Sequence, residues 1–167
     1  MEENITQVVL PKKRPTFLTV LCILTFVYSG GMGIFNIYQY LTFEKNYPAK
    51  VAQIEEALEK LEDAGMDSGF FYEMSVNGLI VLEKTAENLT AISLTNILFA
   101  ILSVLGAFLM FKMKKNGFYL YTVANLFWML APLALIGPEI GMTSIISGIA
   151  LAVLFIILYG INLKHLE

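Results

Sequence analysis

Four long runs of apolar positions, bounded by charged residues, divide this chain: residues 16–43, 89–111, 118–137 and 141–163. Each reaches the roughly 20 residues that an α-helix needs to cross about 30 Å of hydrocarbon. The pattern therefore predicts an all-α protein, an integral membrane four-helix bundle. Residues 1–15 are a tail, 112–117 a short basic link, 138–140 a turn and 164–167 the C-terminal residues. Gly137 and Pro138 do not continue a helix, which makes the turn between spans three and four tight. Pro132 is expected to kink the third span or thin its last turn.

Residues 44–88 have a different pattern. Val51, Ile54, Leu58 and Leu61 recur at spacings of three and four among Glu55, Glu56, Glu59, Lys60 and Glu62, the signature of an amphipathic helix. Pro48 suits the first turn of such a helix and Gly65 its end. A second helix is expected after Asp67, Ser68 and Gly69, capped by Ser68 or Asp67, with Phe71, Met74, Gly78, Leu82 and Leu89 on its apolar face. The segment is thus expected to be a helical hairpin between spans one and two, whose apolar faces meet each other or a partner. Val51, Ile54, Leu58 and Leu61 are the candidate partner-binding residues.

Inside the first span the pattern changes again, at "SGGMGIFN" (29–36). On a helical net Cys22, Thr25, Ser29, Gly33, Asn36 and Tyr40 form one stripe of small and polar residues, with large apolar side chains elsewhere. Lipid supplies no hydrophobic drive between helices, so small-xxx-small pairs such as Ser29 and Gly33 serve close backbone approach. Comparable seams are Asn96, Ala100, Ser103 and Ala107 in span two and Ser144, Gly148 and Ala152 in span four. Span three offers Tyr121, Asn125, Trp128 and Pro132. Helix packing is the role assigned to Ser29, Gly33, Asn36, Asn96, Ala100, Ser103, Asn125, Ser144 and Gly148. A phosphate-cradling glycine loop is the rival for Gly30, Gly31 and Gly33, but it needs an aqueous strand–loop–helix setting.

Composition agrees with a membrane protein: 57% of residues are hydrophobic and 15% charged, against about 45–50% and about 25% in soluble domains. The net charge of −3 leaves no basic face for nucleic acid. Positive residues cluster at Lys12, Lys13 and Arg14, at Lys112, Lys114 and Lys115, and at Lys164, whereas residues 44–88 carry Lys45, Lys50, Lys60 and Lys84 among ten acids. The positive-inside rule then puts both termini and the basic link in the cytoplasm and the acidic hairpin outside. The first span could be read as a cleavable signal peptide, but its apolar character resumes at Met32 and outruns a signal core of about 7–15 residues.

Candidate chemistry is sparse. Glu55, Glu59 and Asp63 align along the first hairpin helix, but calcium loops interleave their carboxylates around a glycine turn, so a solvated face is the better reading. His165 is the only histidine, and Cys22, the only cysteine, has no nearby base. No charged residue or histidine lies inside a span, which removes the usual groups of a proton relay or coupled transporter. No catalytic, cofactor-binding or metal-binding residue is identified, and no cofactor is expected.

"KKRPTFLTVLCILTFVYSG" and "FKMKKNGFYLYTVANLFW" resemble the openings of spans one and three in small four-span membrane proteins of Bacteroidetes-type bacteria. The resemblance implies a bacterial inner (plasma) membrane setting and no activity. The function expected is that of a non-enzymatic interaction or assembly subunit, with the lipid bilayer and a protein partner or homo-oligomer as its contacts. The alternative is an oligomeric channel or uncoupled transporter built around the asparagine-bearing faces. The two differ in whether the polar stripes meet within one protomer or point at an oligomer axis.

Overall fold

A computed structural model describes residues 13–137 and 142–167, the side chains of Met129 and residues 142–147 excepted. The tail before residue 13, the 138–140 turn and the side chain of Ser144 lie outside this description. The chain forms α1 (Thr16–Asp63), α2 (Phe70–Glu87), α3 (Leu89–Phe111), α4 (Asn116–Leu135) and α5 (Met142–Ile161), followed by a 3₁₀ turn at Leu163–His165. There is no strand among the described residues. Four of these helices are long and apolar enough to cross a membrane: α1, α3, α4 and α5.

The chief departure from the sequence pattern is α1. No break separates span one from the hairpin; 48 residues form one helix with Pro48 inside it, about 72 Å long at 1.5 Å per residue. Proline in a helix interior leaves the carbonyl four residues earlier without its donor. Here that carbonyl belongs to Glu44, and Glu44 and Pro48 are both exposed, at a charged level where water can serve the orphaned acceptor. Side chains also brace the junction: Phe43 and Tyr47 stack at 5.7 Å and the Lys50 ammonium lies 5.6 Å from the Phe43 ring. The helix stops where expected. Gly65 has φ +71°, its N–H bonds the Glu62 carbonyl at 2.9 Å, and the Met66 N–H bonds that of Leu61 at 2.8 Å. Those paired bonds satisfy the last carbonyls in the left-handed motif that favours glycine.

A second departure concerns the start of α2. Its cap is Gly69 (φ 98°), with no side-chain cap bond, in place of the expected Ser68 or Asp67. The rotational phase of the first turns differs too. Phe71 and Met74 are exposed, while Tyr72, Ser75, Val76 and Leu79 are half-buried. The Tyr72 hydroxyl donates to Glu62 Oε1 at 2.9 Å, which ties Tyr72 to α1 and turns its neighbour Phe71 outward. Further down, Gly78, Leu82 and Leu89 are half-buried as the pattern expects.

α2 and α3 are almost one rod. Asn88 caps both, and the bonds Asn88 N–H to Lys84 and Ile92 N–H to Asn88 carry the helical ladder through the joint. The rod runs antiparallel to α1 in one register: Tyr72 meets Glu62, Gly78 lies beside Ile54, Asn96 bonds Asn36 and Ala100 packs on Gly33.

The tightest crossing is between α3 and α4. A Cβ built on Gly117 would lie 2.5 Å from the Gly106 carbonyl oxygen and 2.6 Å from the Met110 nitrogen. One on Gly106 would lie 2.8 Å from the Tyr121 nitrogen. These obstacles are backbone, which cannot swing aside as a side chain can. Around the crossing Leu18, Leu21, Cys22, Met110, Tyr121, Tyr159 and Leu166 form the core. Arg14 covers it, its guanidinium 3.5 Å above the Phe111 ring. The last residues close this end, since Glu167 N–H bonds the Met113 carbonyl and Lys115 N–H bonds that of Glu167, both at 2.7 Å.

The glycines of the bundle are therefore unequal. Gly117→Ala and Gly106→Ala should each destabilise the protein by about 1–3 kcal/mol, the cost of overpacking. Gly33→Ala should be nearly neutral, because its Cβ would make an ordinary 3.5 Å contact with Ala100. Melting temperatures of the purified variants in one detergent check this order.

Candidate functional site

Two features stand out against the apolar bundle: a polar cluster between the spans and an apolar tip on the charged hairpin. The polar cluster arises where the seams of α1, α3 and α4 converge. Asn36 and Asn96 face each other because α1 and α3 share one register, and the Asn96 amide donates to Asn36 Oδ1 at 3.1 Å. Asn36 donates in turn to the Met32 carbonyl at 2.7 Å. From α4 the indole of Trp128 donates to Asn96 Oδ1 at 3.0 Å. Asn125, nearly one turn before Trp128, donates to Ser103 Oγ at 3.2 Å and to the Tyr121 carbonyl at 2.8 Å. Toward the link end the chain of polar groups ends in Thr25 Oγ1 and the Tyr159 hydroxyl, 2.8 Å apart, with the Tyr121 ring edge-on to Tyr159 at 4.9 Å. Unmade hydrogen bonds cost several kcal/mol in hydrocarbon, so such groups pair with one another.

The cluster is not filled. A cavity of about 100 Å³ is lined by Ser29, Asn36, Asn96, Ala100, Ser103, Asn125 and others, and a second of about 50 Å³ by Thr25, Tyr121, Gly148 and Phe155 among others. Tyr28, Ser29, Asn125 and Trp128 line both. On the other side of the α1–α3 seam, Gly33 and Ala100 floor an apolar groove of about 280 Å³ with Ile34, Ile37 and Ile101 on it. Of the residues the sequence singles out for packing, Ser29, Asn36, Asn96, Ala100, Ser103, Asn125 and Gly148 border one of these two cavities, and Gly33 borders the groove together with Ser29 and Ala100.

On the hairpin, Val51, Ile54, Leu58 and Leu61 are half-buried between exposed neighbours, and Ile54 lies against Gly78 of α2. The large apolar side chains left in the open are at the far end: Met66 is 48% exposed, Phe70 71%, Phe71 62% and Met74 54%. Phe70 and Phe71 stack edge-on at 5.5 Å. Carboxylates flank them at Glu62, Asp63, Asp67 and Glu73. Lys60, the nearest lysine in sequence, bonds Glu56 at 2.7 Å. That bond holds the Glu56 carboxyl below its ordinary range and the Lys60 ammonium above its own. The Tyr72 phenol is raised by its bond to Glu62 and by the negative charge there. Among the described residues no three His, Cys, Asp or Glu side chains gather as metal ligands.

Sequence reasoning missed three parts of this picture. Gly106 stands beside the small residues Ser103 and Ala107 and could have been read as part of that seam. Adjacent aromatics directly after the "GMDSG" turn were a signal for the tip. The pairing of Tyr159 with Thr25 had no local signal, since it joins residues 134 apart.

Comparison with protein families, with curated proteins and with solved structures gives no match for this chain.

Proposed function

We propose that this protein is a non-enzymatic membrane interaction or assembly subunit that offers the apolar tip of its helical stalk to a protein partner. The observation that carries the reading is the exposure of Met66, Phe70, Phe71 and Met74 beyond the charged residues that end the apolar part of α1. From Glu44 to Asp63 the stalk stands about 30 Å beyond the apolar part of α1. Contiguous apolar surface in water marks interaction sites. The carboxylates around the tip give the partner its chemistry: an apolar pocket with a rim of Lys or Arg. An anionic bilayer or a second tip would be repelled by the same charges.

The channel alternative has less support. Asn36, Asn96 and Trp128 bond within one protomer, so their polarity does not demand an oligomer axis. For orientation, Arg14, Lys112, Lys114, Lys115 and Lys164 all lie at the end opposite the stalk, which favours a cytoplasmic link and termini with the stalk outside. A bacterial inner membrane fits the resemblance of the first and third spans.

Two experiments test this. In a Cys22→Ala background, Glu59→Cys should react with a membrane-impermeant thiol reagent in intact cells and Glu167→Cys only after permeabilisation. The reverse pattern would overturn the orientation. A photo-reactive phenylalanine analogue at Phe71 should give one discrete protein adduct in cells. Phe70→Ser with Met74→Ser should lower its yield about thirtyfold, the loss of about 2 kcal/mol typical of a truncated hot spot. Adducts only to lipid or to this chain itself, or an unchanged yield in that variant, would sink the docking reading. So would solute flux through wild-type liposomes that stops with Asn96→Leu and survives replacement of the stalk.

A further inference from the structure

The two cavities between the spans have largely apolar walls with unused hydrogen-bonding capacity at a few points. Asn125 directs its amide N–H groups to Ser103 and Tyr121, and its Oδ1 accepts no bond among the described residues. The hydroxyls of Ser29, half-buried, and of Tyr28, whose side chain is 52% exposed, likewise make none among the described residues, and all three side chains line both cavities. The site lies deep: Asn36 is about 12 Å along α1 from Glu44, the first charged residue beyond the span. At that depth a half-buried acceptor such as Asn125 Oδ1 gains more from a polar occupant than from an apolar one. The occupant's charge is also constrained. No Asp, Glu, Lys, Arg or His is among the lining residues, so a charged group would be buried without a counter-ion. The lining offers both kinds of partner, an acceptor at Asn125 Oδ1 and donors at the Ser29 and Tyr28 hydroxyls. An occupant that matches it both donates and accepts, as a hydroxyl or carboxamide does. Met32, Phe99, Leu151 and Phe155 complete the walls and suit a hydrocarbon tail.

We infer that the paired cavities bind the uncharged hydroxyl or carboxamide head of an amphiphile whose apolar tail lies among the helices. About 100 Å³ and about 50 Å³ give room for a head of a few heavy atoms, given about 10–15 Å³ for each water-sized sphere. The inference stands apart from the docking tip, and the failure of either leaves the other intact.

The protein carries its own reporter. Trp128 is the only tryptophan, and it lines both cavities. The full chain in lipid nanodiscs is titrated with 1-octanol, and Trp128 emission is followed. Octane, octylammonium and octanoate are the matched probes without a head, with a positive head and with a negative one. Octanol should give a saturable shift, and the other three should not. Gly148 supplies the decisive variant, because it lines the second cavity and a Cβ there would meet nothing within 4 Å. Gly148→Val should weaken the octanol response at least tenfold, with Gly148→Ala intermediate. Gly31→Val, also in open space but outside both linings, should respond as wild type and controls for folding. The inference is overturned if octane or a charged probe matches octanol, if no probe saturates because the cavity holds only water, or if Gly148→Val responds like wild type.

Discussion

The contact on which the bundle depends is the crossing of α3 and α4 at Gly106 and Gly117. In water, a core can be driven together by the apolar area it removes from solvent. In lipid that drive is absent, and helices hold one another by dispersion and by hydrogen bonds at short range. Two glycines at the crossing bring backbone onto backbone, and no other residue type provides that geometry. The crossing lies next to the short basic link, so it also fixes how α4 leaves α3. From there the positions of Tyr121 and Asn125 follow, and with them the place where the polar groups of three helices meet.

The bundle is accordingly of two kinds along its length. Toward the link it is close-packed, with Leu18, Cys22, Met110 and Tyr159 fully buried and the C-terminal residues tied to Met113 and Lys115. Toward the stalk it is looser and more polar, held by Asn36, Asn96 and Trp128 and hollow beside them. Amide and indole groups are bulky and directional, so they join helices at particular points without filling the space around those points. The cavities follow from the same choice of residues that holds this half together.

Much of the fold could be read from the chain because charge and apolar length act over whole segments. Four charge-free runs are enough to place four spans, and period-3.6 spacing is enough to place Val51, Ile54, Leu58 and Leu61 on the inner side of the stalk. What could not be read depends on single contacts between distant residues. Whether Pro48 starts a helix or rides inside one turns on whether water reaches the Glu44 carbonyl. Which face of α2 turns inward was legible at Gly78 and Leu82, but the phase at its start depends on one bond between Tyr72 and Glu62. The seam of span one was visible as small residues, whereas the closer approach of Gly106 to Gly117 belongs to two segments whose relative tilt no local pattern encodes. The polar site was legible in Ser29, Asn36, Asn96, Ser103, Asn125 and Trp128, but not in Tyr28, Tyr159 or its shape.

The unbroken course of α1 has a last consequence. A helix without a break has one azimuth: each residue's bearing around the axis is fixed by its distance along the chain, about 100° per step. Asn36 in the membrane and Glu62 near the summit therefore share a single angular frame, with no swivel between them. Whatever compass direction the summit presents was set far below, by the side of α1 that turned toward Asn96.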